Sequence, residues 1–223
     1  MPVAIITGAS RGLGFALATA LADAGWRLVV DGRALTTTPI AGEVVTLAGD
    51  VTDPAHRTDL VAAADRLGGA DLLVNNAGIL GPSPQPFLAD YPLAVLREVY
   101  EVNVFAPLAL AQLALHGLAE RGGAIANITS DAAVEPYPGW GGYGSAKAAI
   151  EHAGRVLAAE RPDVRVWAVD PGDLRTRMHQ EAFPGEDISD RPLPETVAPA
   201  FLRLVADRPP SGRIRLADLA VRT

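Results

Sequence analysis

The sequence predicts an α/β fold, a doubly wound parallel sheet of about seven strands with helices on both faces. Three observations carry this expectation. Short Val/Ile/Leu-rich runs alternate with longer Ala/Leu-rich stretches along the chain. The short runs show little polar–apolar alternation, as strands buried on both sides do. No repeat, low-complexity tract or linker divides the 223 residues, which therefore read as a single domain, 1–223.

Val3–Thr7 reads as the first strand. A helix is predicted over Gly12–Ala24, where Leu13, Ala16, Leu17, Ala20, Leu21 and Ala24 recur at helical spacing and Gly25 stops it. Arg27–Asp31 and Glu43–Leu47 follow as strands. The connection between them, Gly32–Gly42, has a Thr36-Thr37-Thr38-Pro39 core that forms helix poorly, so a crossover helix there is expected to be short or missing. Pro54–Leu67 reads as helix and Asp71–Asn75 as strand. A long helix is predicted over Tyr91–Arg121, interrupted at Pro107 because proline lacks the N–H that a helix interior needs. Its Pro107–Leu118 part is apolar almost all round, which implies burial on more than one side. Ala124–Thr129 reads as strand, Tyr143–Glu160 as helix, Val164–Asp170 as strand, Pro194–Ala206 as helix and Ile214–Leu216 as a short last strand. Asp173–Pro199, with Pro184, Gly185, Pro192, Pro194 and Pro199, is long for a structureless connection. It reads either as a surface excursion or as a lid over a site, taken here as 173–199.

Composition excludes several classes of function. With no Cys there is no disulfide, thiolate metal site or cysteine nucleophile. His56, His116, His152 and His179 lack the spacing of a zinc helix, so no metal is expected. The net charge of −7 repels polyphosphate, which argues against nucleic acid as a partner. No apolar run is expected to reach the roughly 18 residues of a membrane helix, and the N-terminus lacks the basic region of a signal peptide. The expected location is the cytoplasm. The stretch from Arg203 to Thr223 holds five Arg and two Asp and reads as a solvated face in preference to a docking patch.

Directly after the first strand stands Thr7-Gly8-Ala9-Ser10-Arg11-Gly12-Leu13-Gly14. Glycines at 8, 12 and 14 occupy a strand-to-helix turn. The first permits a tight turn; the others allow close approach of backbone to a pyrophosphate and of helix to sheet. The helix N-terminus offers free N–H groups and a positive dipole end. A merely structural turn is the bland alternative, but the flanking strand and helix are both present and point to a dinucleotide on a Rossmann-type sheet.

Tyr143-Gly144-Ser145-Ala146-Lys147 puts a phenol and an ammonium four residues apart, on one face of a helix. A phenol with a pKa near about 10 is a poor acid–base group at neutral pH, and a neighbouring ammonium is expected to lower it. Of the 19 basic residues all but one are Arg, and the single Lys is Lys147. A compact ammonium differs physically from a planar guanidinium, so this place calls for the former. Ser130 lies at the end of a strand, where the ligand crevice of such sheets opens. It is either a cap or a donor to a substrate oxygen. Asn103, polar inside an apolar helix, is either a back-bonded kink or part of a proton relay.

The Gly-x-x-x-Gly-x-Gly spacing, together with Asp50-Val51, Asn75-Asn76-Ala77-Gly78, Asn103, Ser130, Tyr143 with Lys147, and Pro171-Gly172 with Thr176, resembles the short-chain dehydrogenase/reductase family. The resemblance runs from about Val3 to Met178. It implies an enzyme that moves a hydride between a nicotinamide cofactor and a carbonyl or secondary alcohol carbon. Tyr143 would be its acid–base group, and Lys147 would tune the phenol and hold the ribose. Ser130 would polarise the carbonyl, and Asn103 would hold a water of the proton path. It implies a cofactor bed made of Gly8, Ser10, Arg11, Gly12, Leu13, Gly14, Arg33, Asp50, Val51, Asn76, Ala77, Gly78, Tyr143, Lys147, Pro171, Gly172 and Thr176. It also implies a homodimer built through a helix pair. The chain departs from the family in its short second crossover and in its end, Arg213-Ile214-Arg215-Leu216-Ala217-Asp218, which lacks a closing Asp-Gly-Gly and puts a tetramer in doubt.

Cofactor choice is read at the end of the second strand, Val29-Val30-Asp31-Gly32-Arg33. A carboxylate there selects a free ribose 2′-OH, and an Arg accommodates a 2′-phosphate. Arg33, helped by Arg11, favours NADP(H). If the strand is shifted by one residue, Asp31 becomes the ribose carboxylate and NAD(H) is favoured. Tyr137, Trp140, Leu80 and 173–199 are expected to border the substrate, an apolar or aromatic carbonyl compound and NADPH-dependent reduction being the leading reading. The alternatives are a non-catalytic NADP-sensing module and epimerase or dehydratase chemistry on the same scaffold.

Overall fold

The computed structural model describes residues 1–33, 35 and 39–219. Seven strands form one sheet: β1 (Val3–Ile6), β2 (Arg27–Gly32), β3 (Val44–Ala48), β4 (Leu72–Asn75), β5 (Ala124–Ile128), β6 (Arg165–Asp170) and β7 (Gly212–Arg215). Their order is β3-β2-β1-β4-β5-β6-β7, and every neighbouring pair is parallel. The chain therefore winds outward from β1 to β3 and returns to β4 on the other side of β1. The strand order reverses between β1 and β4, and the crevice beyond their carboxyl ends is where such sheets take ligands.

Burial on both faces follows from the strand period of two. Ala4 and Ile6 of β1 pack with Leu17 and Leu21 of α1 (Gly12–Asp23) and with Phe201 and Leu204 of α7 (Ala198–Asp207). Val3 and Ile5 face the other way, against Leu60 and Ala64 of α2 (Pro54–Arg66) and Leu110 and Leu118 of α4 (Ala106–Glu120). Local signals set the helix ends. Asp53 accepts the Ala55 N–H at 2.9 Å and Pro54 opens α2, a preorganised start. Gly25, at φ +84°, ends the chain's run out of α1.

The remaining helices are α3 (Leu93–Tyr100), α5 (Gly141–Glu160), α6 (Arg177–Ala182) and α8 (Leu216–Leu219). Two expectations need correction. The helix is not interrupted at Pro107. α3 runs into α4 through a five-residue π turn, Glu101–Phe105, in which the Ala106 N–H reaches the Glu101 carbonyl five residues back. The wider turn just before Pro107 takes up the proline without a break. As a result Leu93–Glu120 is 28 residues of continuous helix, long and apolar enough by length and composition to cross a membrane, contrary to the expected limit. In this fold its α4 part covers β4, β5 and α2. Segment 173–199 contains α6, which the sequence reading does not pick out, and a short turn of helix at Pro194–Val197, where a helix is expected to begin.

Among the described residues between β2 and β3, Leu35 and Ile40 drop into the core. Thr36, Thr37 and Thr38 lie outside the described residues, as do the last four of the Arg-rich C-terminal stretch.

Phe201 is fully buried and ties α7 to the sheet. Phe201→Ala should cost about 3–5 kcal/mol and lower the melting temperature by about 10 °C, read by calorimetry.

Candidate active site

One cleft of about 1350 Å³ opens at the carboxyl ends of the strands. The glycine turn, Arg33, Asp50, Val51, Asn76, Ala77, Gly78, Ser130, Tyr143, Lys147, Pro171, Gly172 and Thr176 all line it. Tyr137, Trp140 and Leu80 line it too. Asn103 is buried just behind the wall.

The nucleotide end is built on β1 and β2. Gly8 takes φ +68° at the end of β1, a backbone that side chains rarely adopt. A Cβ on Gly14 would collide with the Gly8 carbonyl and the Asn76 amide, so only glycine lets α1 sit this close to the turn. α1 starts at Arg11 with no side-chain cap and no acidic residue in its first turn. Its first N–H groups are left for an anion, which is the chemistry that a pyrophosphate needs. The Asn76 amide donates to the Thr7 carbonyl at 2.8 Å and the Gly8 carbonyl at 3.1 Å, and Thr7 Oγ1 accepts the Asn76 and Ala77 N–H groups at 3.0 Å. Thr7 was not singled out in the sequence, although its hydroxyl is what joins the two turns.

Asp31 is 1% exposed, and both of its carboxylate oxygens are engaged. Oδ1 accepts the Gly8 N–H at 2.6 Å, and Oδ2 lies 2.9 Å from His56 Nε2. Burial raises its pKa against the pull of these bonds. His56, on α2, is a partner that no sequence signal marked. Asp50 accepts the Thr52 N–H at 2.9 Å, and that bond holds its carboxyl below the usual range.

The reaction end is built on β5, α5 and the turn after β6. Tyr143 and Lys147 share one face of α5 and are 8% and 4% exposed. Lys147 Nζ donates to the Ile128 carbonyl, the last of β5, at 2.9 Å and lies 5.5 Å from the centre of the Tyr143 ring. Here an expectation is reversed. The phenol is not held below its ordinary value. Burial pushes it well above, with Asp131 and Asp170 adding to the rise, and burial pushes Lys147 down to about 8. Desolvation disfavours the charged form of each group and sets the direction of both shifts.

Ser130 caps the short turn after β5, its Oγ accepting the Ala132 N–H at 3.2 Å and donating to Asp131 Oδ1 at 2.9 Å. Asp131 Oδ2 in turn accepts from Tyr137 at 3.0 Å. Ser130 is thus a cap and a cleft residue at once. Asn103, in the π turn, does not bond back to its own helix. It accepts the Ile79 N–H at 3.1 Å and donates to the Ile79 carbonyl at 2.8 Å. A Cβ on Gly78 would lie 2.7 Å from Asn103 Oδ1 and 3.6 Å from Lys147 Nζ, so the three meet at one point. Leu80, Trp140, Met178 and Ala182 pack around Tyr143, with Trp140 edge-on to it at 5.9 Å and beside Phe183 at 5.8 Å. Thr176 caps α6 and also faces Gly12 across the cleft.

The Arg-rich C-terminal stretch is not uniformly a solvated face. Arg213 turns inward, toward Glu151, Asp170 and the Ser130 carbonyl.

Comparison with known proteins bears on this site. A family profile described as short chain dehydrogenase matches residues 2–187. The chain is 38% identical to 7alpha-hydroxysteroid dehydrogenase of Escherichia coli (strain K12) over 185 residues, 78% of this chain and 71% of the relative. It is 34% identical to sepiapterin reductase of Rattus norvegicus over 201 residues, 81% of this chain and 77% of the relative. The structure of an alcohol dehydrogenase from the archaeon Thermococcus sibiricus, complexed with 5-hydroxy-NADP, superposes with a TM-score of 0.85 at 29% identity, covering 96% of this chain and 95% of that one.

The buried Lys147 carries a pH signature. The unfolded chain keeps this proton to its ordinary 10.5, while the folded chain releases it near about 8. Between those values unfolding takes up a proton, so rising pH favours the fold, by up to about 1.4 kcal/mol per unit. Lys147→Met removes the contribution. In denaturant melts from about pH 8 to about pH 10, the stability of the wild type relative to this variant should therefore increase. A difference that stays flat would return Lys147 to its ordinary value.

Proposed function

This chain belongs to the short-chain dehydrogenase/reductase family, and we propose that within it the protein is an NADPH-dependent reductase that turns a carbonyl compound into a secondary alcohol. The observation that carries this reading is the convergence of Ser130, Tyr143 and Lys147 with the glycine turn on a single cleft. A nicotinamide dinucleotide bound in that cleft would supply the hydride.

The chain's own residues divide the remaining work. The N–H groups from Gly8 to Gly14 and the uncapped start of α1 hold the pyrophosphate. Asp50 and Val51 border the adenine; Asn76, Ala77 and Gly78 form the floor; Pro171, Gly172 and Thr176 flank the nicotinamide. Arg33, exposed at the end of β2, takes the 2′-phosphate with help from Arg11 and Ser10. Asp31 is turned to the Gly8 N–H and to His56, which leaves Arg33 as the exposed charged group at the end of β2. The NADP derivative held by the Thermococcus sibiricus enzyme supports the same choice.

Ser130, its hydroxyl turning from Asp131 to the substrate oxygen, donates there and polarises the carbonyl. Tyr143 then gives its proton to that oxygen as the carbon is reduced. A phenol kept neutral by burial is the form this step needs. Lys147 holds the ribose, and Asn103, fixed to Ile79 beside it, anchors the water that returns a proton through Lys147. The wall of Leu80, Trp140, Met178, Ala182 and Phe183 suits an apolar or aromatic carbonyl compound. Segment 173–199, which supplies Met178, Ala182 and Phe183 to this wall, acts as the substrate lid. The outward apolar side chains Phe105 and Leu113, 54% and 46% exposed, form the face of a homodimer.

Titration with each nucleotide tests the reading without a known substrate. NADPH should raise the melting temperature more than equal NADH; no rise with either in folded protein would remove the nucleotide site. Arg33→Ala should weaken NADPH by about tenfold and leave NADH nearly unchanged, by fluorescence titration. Tyr143→Phe should lower turnover about a hundredfold or more while NADPH binding stays within about twofold. Retained turnover would take the phenol out of the reaction.

A further inference from the structure

Behind the reaction end of the cleft lie three charged side chains that the proposed reaction does not use. Arg213 stands on β7, Glu151 on α5 and Asp170 at the end of β6, with side chains 21%, 6% and 6% exposed. Arg213 Nη1 donates to Glu151 Oε2 at 2.6 Å. Its Nη2 donates to Asp170 Oδ2 at 2.8 Å and to the Ser130 carbonyl at 3.1 Å. Each carboxylate holds a further group: Asp170 Oδ1 accepts the Gly172 N–H at 3.0 Å, and Glu151 Oε2 accepts Thr129 Oγ1 at 3.3 Å.

Stability alone does not account for such a cluster. Burying one guanidinium and two carboxylates costs desolvation that hydrocarbon of the same size would avoid. What the cluster achieves is geometric. Glu151 is four residues beyond Lys147, one helical turn along the face that carries Tyr143 and Lys147. Asp170 governs the turn that holds Pro171 and Gly172. The Ser130 carbonyl belongs to the residue that faces the substrate. A planar guanidinium with donors in fixed directions can set all three at once, which a flexible ammonium cannot.

We propose that Arg213 is a positioning residue, its guanidinium fixing Ser130, the α5 turn of Tyr143 and Lys147, and the Pro171–Gly172 turn relative to one another. The inference rests on the catalytic reading above. It also carries an electrostatic consequence. The charges that raise the Tyr143 phenol are Asp131 and Asp170, Lys147 faces the same ring, and Arg213 is the cation paired with Asp170. Losing Arg213 leaves Asp170 uncompensated beside Tyr143.

The test uses the carbonyl compound that the wild type reduces fastest in a screen of aryl and alicyclic ketones with NADPH. Arg213→Met should lower kcat about tenfold to a hundredfold, because small misplacements of reacting groups are costly, while the NADPH dissociation constant moves less than about threefold. The alkaline limb of its kcat–pH profile should move to higher pH, and Arg213→Lys should recover part of the rate but not all. A purely structural role would lower the folded fraction without moving the limb. If Arg213→Met does not fold, Glu151→Gln, which keeps the shape and removes one charge, is held to the same criterion of a kcat loss at nearly constant NADPH affinity. Variants that keep wild-type kcat within about twofold and the wild-type profile would overturn the inference and leave the catalytic reading standing. A wild type that binds NADPH and reduces no carbonyl compound would overturn that reading, and the inference with it.

Discussion

The side-chain amide of Asn76 donates to the Thr7 and Gly8 carbonyls, and the arrangement of the site follows from that contact. β1 and β4 are parallel neighbours in the sheet, but the chain runs from β1 to α1 on one face and from β4 on to α4 on the other. The ladder of backbone bonds ends with the Thr7 N–H on the Val74 carbonyl at 3.0 Å, and other contacts must hold the turns beyond it together. Asn76 and the Thr7 hydroxyl do so, and they fix the floor of the cleft against its phosphate end. Gly8 is further pinned from β2 by Asp31, which is itself pinned by His56 from α2. Four elements thus converge on one turn, so the turn is rigid although it is rich in glycine.

Features whose parts lie within one helix or one turn were legible in the sequence. The glycine turn and the Tyr143–Lys147 pair need only local geometry to be read. The strands were legible as well, because burial on both faces leaves a nearly continuous apolar run. What escaped depends on contacts between distant segments. Arg213 reaches Glu151 and Asp170 across 62 and 43 residues of chain, and by composition it is one more arginine in a polar tail. Asp31 stands in the sequence as an alternative ribose ligand, and nothing there marks its bond to His56, 25 residues on. The lowered phenol expected from the lysine failed for a related reason. Spacing reveals the attraction between two groups, but desolvation depends on everything packed around them.

Lysine and arginine are divided in this chain by that same desolvation. Burial moves Lys147 into the range where it exchanges its proton near neutral pH. A guanidinium would stay charged in the same place. Where a fixed charge is wanted, at Arg33 facing the cleft or at Arg213 between two carboxylates, the chain uses arginine.

The π turn at Glu101–Phe105 places an additional residue in one turn of a 28-residue helix. Each residue of an α-helix advances the side chains by about 100°, so the surplus residue offsets the angular phase of α4 from that of α3. The two halves of one rod can then answer to different neighbours, α3 to α5 and α4 to the sheet. The offset depends on the number of residues between Tyr100 and Ala106, and hardly on which they are. Asn103 and Val104 are held there by buried contacts of their own, and a one-residue deletion would turn Asn103 and the whole apolar face of α4 out of phase together.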